Sequence, residues 1–221
     1  MDGKSFDAAV QRASAVVSRR GVLRGGLGAL AGVALGLVGL SSGEVEARRR
    51  RRKRCGAGGP CRVFVTENVY SGMLGGLAGA DKICQDLADS ASLGGTYKAW
   101  LSDSTASPST RFVHSTGPYE LVDGTRIAAN WAALTDGSLR APITLTEWGN
   151  LVSDAYYVWT DTYVDGSGGT SGEHCENWSS GSATDGGFRG VDTDAGSNWT
   201  QSGSDTCDTS HHLYCFQQSG R

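Results

Sequence analysis

Proline is scarce in this chain, at 4 of 221 residues, and charged side chains make up only 19%. The first shortage excludes a proline-rich extended spacer, the second a charge-driven disordered chain. No apolar run reaches the roughly 20 residues that cross a bilayer as a helix. The longest, Gly26 to Leu40, spans about 22 Å as a helix, short of the roughly 30 Å hydrocarbon core. There is no Cys-x-x-Cys pair, which argues against a zinc knuckle. There is no Gly-x-Ser-x-Gly elbow, and the pairs Gly75-Gly76 and Gly94-Gly95 read as turn glycines, not as phosphate loops. Histidine is limited to His114, His174, His211 and His212.

Glycine, by contrast, is abundant at 33 residues, and tryptophan and tyrosine recur along the length. This is the composition of a loop-rich globular protein, large enough for one domain with extras. Residues 1 to 47 read as an export signal to be set aside from the fold. Ser18-Arg19-Arg20-Gly21-Val22-Leu23-Arg24 is a twin-arginine pattern, the Gly26 to Leu40 run follows it, and Val45-Glu46-Ala47 is a small-residue cleavage site. Cleavage there leaves no transmembrane span; an uncleaved N-terminal anchor is the alternative.

The next seven residues, Arg48 to Arg54, are all cationic. From Cys55 to Arg221 the chain carries 8 Lys and Arg against 19 Asp and Glu, 8 − 19 = −11. A basic arm therefore precedes an acidic body. The arm suits an anionic envelope polymer or lipid headgroups, with an export-related spacer as the plainer alternative. Nucleic acid is not an expected partner of an exported protein.

The body begins with a strand at Arg62 to Thr66. Ala80, Ile83, Cys84, Leu87, Ala88 and Ala91 then fall at the spacing of one helix face, opposite Asp81, Lys82, Gln85, Asp86 and Asp89. Gly79 is read as the entry to this helix and Gly94-Gly95 as its left-handed cap. Thr96 to Ser102 reads as an aromatic strand, Ala128 to Leu134 as a second helical patch, Tyr156 to Thr160 as a buried strand, and His212 to Gln217 as a central closing strand. Residues 179 to 205 read as almost wholly polar loop. An irregular stretch of this length is unusual unless it is cross-linked or functional.

The six cysteines, at 55, 61, 84, 175, 207 and 215, all follow the signal. An even count in an exported chain points to disulfides, and Cys55 and Cys61 are near enough to close on each other. Trp148 and Trp199 sit among polar loop residues, where an aromatic side chain serves as a recognition anchor. Asp161, Asp165, Asp192 and Asp194 offer the hard oxygens calcium takes, but with no spacing motif, so no cofactor is assigned.

GLAGADKICQDLADSASLGGTYKAWLS resembles the N-terminal part of endostatin, the C-terminal domain of certain collagens. Trp131-Ala132-Ala133-Leu134, Val158-Trp159, Cys175-Glu176-Asn177-Trp178 and the Cys207 to Phe216 segment continue the resemblance in order, over about residues 62 to 218. PYELVDGTRIAANWAALTDGSL is similar to a bacterial family of secreted endostatin-like domains of unknown function. The resemblance implies an α+β, C-type-lectin-like domain with antiparallel strands, one or two helices and a long irregular loop region. It implies the disulfides Cys84–Cys215 and Cys175–Cys207, and core positions for Trp131 and Trp178. Arg48 to Arg54 hold no histidine where endostatin has its zinc ligands, and the acidic body does not suit heparin. The calcium triplets of sugar-binding C-type lectins are absent.

The expectation is an exported, non-enzymatic binding module that meets an extracellular protein or glycan through residues 102 to 206. A structural envelope protein held by its basic arm is the alternative. A hydrolase would require His174 or His211 to meet a carboxylate in a cleft.

Overall fold

The computed structural model describes residues 53–153, 157–168 and 172–219, which all lie in one compact unit, Arg50–Arg221. Arg19, Arg20, the cleavage site and Arg48 to Arg52 lie outside the described residues. The fold is mixed α+β. A five-stranded sheet takes the order β2-β8-β1-β3-β4, where β1 is Cys61–Val65, β2 Thr96–Ala99, β3 Tyr119–Leu121, β4 Arg126–Ala128 and β8 Tyr214–Ser219. A second, three-stranded sheet runs β5 (Tyr157–Trp159), β6 (Gly186–Val191) and β7 (Gly203–Thr206). The pairings are antiparallel, as expected, with one addition, the parallel pair of β1 with β3.

Helix α1 is Gly76–Ser90. It starts ahead of Gly79 because Leu74 and Gly75 already donate to the Trp178 carbonyl, which fixes the entry. Its end also differs from the expected Gly94-Gly95 cap. Ser92 takes the left-handed conformation at φ 56°, with Ser92 N bonding Asp89 O and Leu93 N bonding Ala88 O, a Schellman closure. The two glycines lie beyond it, in the turn into β2. Ala80, Cys84 and Ala88 are fully buried, and Ile83 and Leu87 pack half-exposed at the margin of the same face. The polar face also has structural work. Asp81 accepts from Ala99 N and Gln85 from Tyr97 N, so the helix satisfies amides that β2, an edge strand, would otherwise leave open. Arg111 closes on Asp81 from the short helix α2, Pro108–Arg111.

Strand β8 is buried on both faces, as its sequence suggested. Tyr214 and Phe216 face a core with Val63, Trp100, Ile127 and Trp199, while Leu213 and Cys215 face α1, Phe64 and Trp159. Three disulfides close the domain: Cys55–Cys61, Cys84–Cys215 and Cys175–Cys207. Cys84–Cys215 fastens α1 to β8. Such bonds belong to an oxidising environment. Among the described residues no helix is long and apolar enough to cross a membrane.

Residues 175–178, read from sequence only as the start of a core element, form one left-handed helical turn. The φ values are 48°, 53°, 56° and 61° for Cys175, Glu176, Asn177 and Trp178. Left-handed backbone at four non-glycine residues is unfavourable by about 1–2 kcal/mol each. The turn is held by Cys175–Cys207 and by Trp178, buried with its Nε1 donating to Ser102 O at 2.6 Å.

Candidate functional site

The loop from Thr144 to Val152 folds back on itself. Val152 N donates to Thr144 O, Thr146 N to Asn150 O, and Gly149 N to Thr146 O. Gly149 sits at φ 81°, the left-handed position that a turn closed by a glycine bulge requires. Leu145 O accepts from Val65 N, which joins the loop to β1, and the Glu147 carboxylate accepts from Glu67 N at 3.0 Å. Glu147 is buried by this contact, and burial pushes its carboxyl above the usual range. With Glu147 turned inward, Trp148 is turned outward at the tip.

Trp148 is 54% exposed, Leu151 72% and Val69 42%. The other tryptophans are buried or half-buried, so this exposure is particular to one position. Thr146 and Leu151, from the two sides of the loop, line a cleft of about 220 Å³ with Asn68, Val69, Ser153 and His212. Its floor is pinned by Asn68, whose carbonyl accepts from Thr66 Oγ1 at 2.7 Å and lies 3.3 Å from His212 Nδ1. The lining also includes Glu67 and Val152, and Trp148 stands on the Thr144 to Val152 loop without lining the cleft. An exposed aromatic tip on a loop that borders a cleft of mixed apolar and polar lining can bury an apolar face of a ligand while the cleft bonds its polar edge.

Of the two tryptophans read as recognition anchors, the structure keeps Trp148 at the surface and corrects Trp199. Trp199 is fully buried, its ring 4.9 Å from Trp100 and 5.7 Å from Tyr214. Its polar neighbours cover only the outer side of the turn at 197–199, which folds its ring into the core. Leu151, Val69 and Glu147 were not picked out from the sequence. The Trp-Gly-Asn turn followed by Leu-Val is the signal that could have found Leu151.

The aspartates read as cation ligands do not come together. Asp165 is exposed in its own turn, where hydrogen bonds from the Ser167 hydroxyl and amide hold its carboxyl below the usual range. Asp194 accepts from Gly196 N and Asn198 Nδ2. Asp192 is buried beside Tyr214, and neither of its oxygens has a partner. Asp161, at φ 40°, is fully buried near Glu173 and Asp103, and both its oxygens are also unpartnered. Among the described residues no three His, Cys, Asp or Glu side chains form a group able to hold a metal ion.

Burial, reinforced by Glu173 and Asp103, pushes Asp161 up to about 8, and burial pushes Asp192 up to about 6. In the unfolded chain these groups ionise near 3.8. Between these values the native state holds protons that the unfolded state has released. The associated stability is complete below pH 3.8 and is lost as pH rises through about 6 for Asp192 and about 8 for Asp161. Asp161 alone gives a slope of up to about 1.4 kcal/mol per pH unit. Asp161→Asn flattens the fall between pH 6 and 8 in urea unfolding; an unchanged slope would refute the assignment.

His174 and His211 each lie near a carboxylate. His211 Nε2 is 2.9 Å from Asp205 Oδ2, but Asp205 also pairs with Arg189 at 2.5 Å, and burial holds His211 below its usual value despite Asp205. Trp159 and Tyr157 pack against the imidazole. His174 lines a shallow cleft of about 430 Å³ with Asp103. Its Nδ1 is taken by Asn177 N, and Asp103 Oδ1 accepts from Thr105 and Ala106 of its own loop. Both histidines are thus engaged in holding local structure.

The family described as protein of unknown function (DUF1554) matches residues 67–195, more than half of the chain. The matched segment contains α1, the Trp148 loop and β6, and ends before Cys207 and β8. No curated protein matches the chain at a significant level.

Proposed function

This chain belongs to the DUF1554 family, and from that premise we propose that it is a non-enzymatic binding module, of endostatin-like and C-type-lectin-like architecture, exported by the twin-arginine route. Its ligand is an extracellular protein or glycan. The observation that carries the reading is Trp148. It is a large aromatic side chain held outward on a hydrogen-bonded loop, and Leu151 of the same loop and Val69 are exposed along the neighbouring cleft. A tryptophan buries on the order of 150–250 Å² when covered, and such anchors supply much of the energy of recognition. A loop held in this way also loses little conformational freedom on binding. Three disulfides suit a domain that works outside the cell.

An array of extracellular matrix and cell-surface proteins and of glycans, probed with the folded domain, tests the reading. The expected result is a restricted set of ligands whose capture falls at least tenfold with Trp148→Ala. Capture that is unaffected by the substitution, or none at all, would leave the structural envelope role as the better account.

A further inference from the structure

Another cleft, larger than the one near the Trp148 loop, lies elsewhere on the domain. It has a volume of about 600 Å³ and lies between the loop at 53–60, the start of β1, the turn at Leu93–Gly95 and Gln217 of β8. Three cations stand around it: Lys53, Arg54 and Arg62. None of its lining residues is acidic. Lys53 and Arg54 end the basic run, and Arg62 adds a cation from the body, whose charge from Cys55 onward is 8 − 19 = −11.

The pairing of the other cations sharpens the contrast. Of the six other described cations, Lys82, Arg111, Arg126 and Arg189 each have a carboxylate partner, at Asp86, Asp81, Glu120 and Asp205, while Lys98 donates to the Arg111 carbonyl and Arg140 forms no ion pair with the described residues. Lys53, Arg54 and Arg62 form no ion pair among the described residues. Carboxylates are in surplus, yet these three cations face open space together. Their placement is fixed by backbone. The Cys55–Cys61 disulfide ties the loop to β1, Arg54 O accepts from Ala57 N and Gly59 N, and Arg62 N donates to Gln217 Oε1. Lys53 and Arg54 are also the last two of the seven successive cations that begin at Arg48.

We propose that this cleft is an anion site that takes a linear, phosphate-bearing polymer. Arginine guanidinium groups pair with phosphate oxygens two at a time, and lysine adds a point charge. A polymer, unlike a single anion, can also engage more than one cation at a time, and five further arginines, Arg48 to Arg52, directly precede Lys53 in the sequence. A flat anionic membrane fits less well. The cations line a concavity that a planar surface does not enter, and the acidic remainder of the domain is repelled by such a surface. The site is separate from the Trp148 face and stands or falls independently of it.

The probe is labelled inorganic polyphosphate, titrated into the full chain at low and rising salt and followed by fluorescence anisotropy. Binding weakens linearly on a log–log plot against salt, because each phosphate contact releases counterions. Lys53→Gln, Arg54→Gln and Arg62→Gln together weaken binding at least tenfold and lower the slope by about 2 to 3. Arg62→Gln alone, which leaves the basic run intact, weakens it severalfold, while Trp148→Ala leaves it unchanged. All three cations are at the surface, and a thermal melt confirms that the variants fold. Polyphosphate binding that is equal in the triple variant and the parent would overturn the cleft as the site. Equally tight, Arg62-dependent binding to phosphatidylglycerol vesicles would overturn the polymer in favour of a membrane.

Discussion

Replacing Cys84 and Cys215 together by alanine lowers the free energy of unfolding by about 5 kcal/mol. The two residues are 131 positions apart and join α1 to the start of β8. Opening the link releases the unfolded chain from a very large closed loop, and the entropy regained there is the main source of the loss in the chain-entropy account. A domain of this kind has about 5–15 kcal/mol in all. The double variant is therefore expected to lose its cooperative transition at 37 °C or to retain only a small fraction of its stability. Its first consequence in the native state is faster amide exchange in α1, whose buried face is small: Ala80, Cys84 and Ala88. Removing Cys175–Cys207, 32 positions apart, lowers stability by about 3.7 kcal/mol. Urea unfolding of the variants side by side gives this order. A Cys84→Ala/Cys215→Ala variant as stable as the parent would show that the clamp does not hold the fold together.

Trp100→Ala destabilises by about 3–5 kcal/mol. Trp100 follows β2 directly and is fully buried where the sheet meets the irregular middle of the chain. Its ring lies 4.9 Å from Trp199, 5.3 Å from Phe216, 5.8 Å from Phe112 and 5.9 Å from Trp131. Its Nε1 donates to Thr200 Oγ1 at 2.7 Å. The one side chain thus joins β8, the residue that follows α2, the short helix Trp131–Leu134 and the turn at 197–199. Truncation removes a large apolar volume from a site whose other rings are fixed by separate elements, so collapse is incomplete and a cavity remains. The Thr200 hydroxyl also loses its donor, although it still donates to Thr162 O. Trp100→Phe retains most of the volume and is expected to lose less than half as much. Chemical unfolding with both substitutions separates the cavity from the hydrogen bond.

The parts of the fold legible in the sequence were those that carry their own periodicity. The Ala80–Cys84–Ala88 stripe gave α1, and the apolar run ending in Cys215-Phe216 gave a strand buried on both faces. The Cys84–Cys215 and Cys175–Cys207 pairings came from the resemblance to endostatin, and only Cys55–Cys61 from closeness in the sequence. Strand β6, GGFRGV, was not legible because its composition is that of a loop. Its glycines are there for contact: a side chain at Gly187 would start 2.7 Å from Cys175 Sγ and from the Trp159 ring. Close approach to Trp159 therefore removed the residues by which a strand is recognised. The β3–β4 hairpin was missed although Asp123-Gly124 marks its turn, a local signal strong enough to have found it.

The candidate site was legible only in part, for a related reason. A tryptophan among polar residues gives no indication of which way it turns. Trp148 turns out because Glu147 is drawn in to Glu67 N, a contact 80 positions away in sequence. Trp199 turns in because Trp100 and Tyr214 form its pocket. Both outcomes depend on partners distant in the chain. Asp161 shows the same limit: its position in a polar segment suggested an exposed oxygen donor, whereas the end of β5 carries it into the interior.

The central claim is recognition through the Trp148 face. It is tested most directly by measuring the affinity of one ligand from the array for the parent, for Trp148→Ala and for Val113→Ala. Val113 is also an exposed apolar residue, at 45%, but it belongs to the segment after α2 and not to the cleft beside Trp148. The account predicts at least a tenfold loss for Trp148→Ala and none for Val113→Ala, with both variants melting as the parent does. Equal affinity for all three proteins would contradict it.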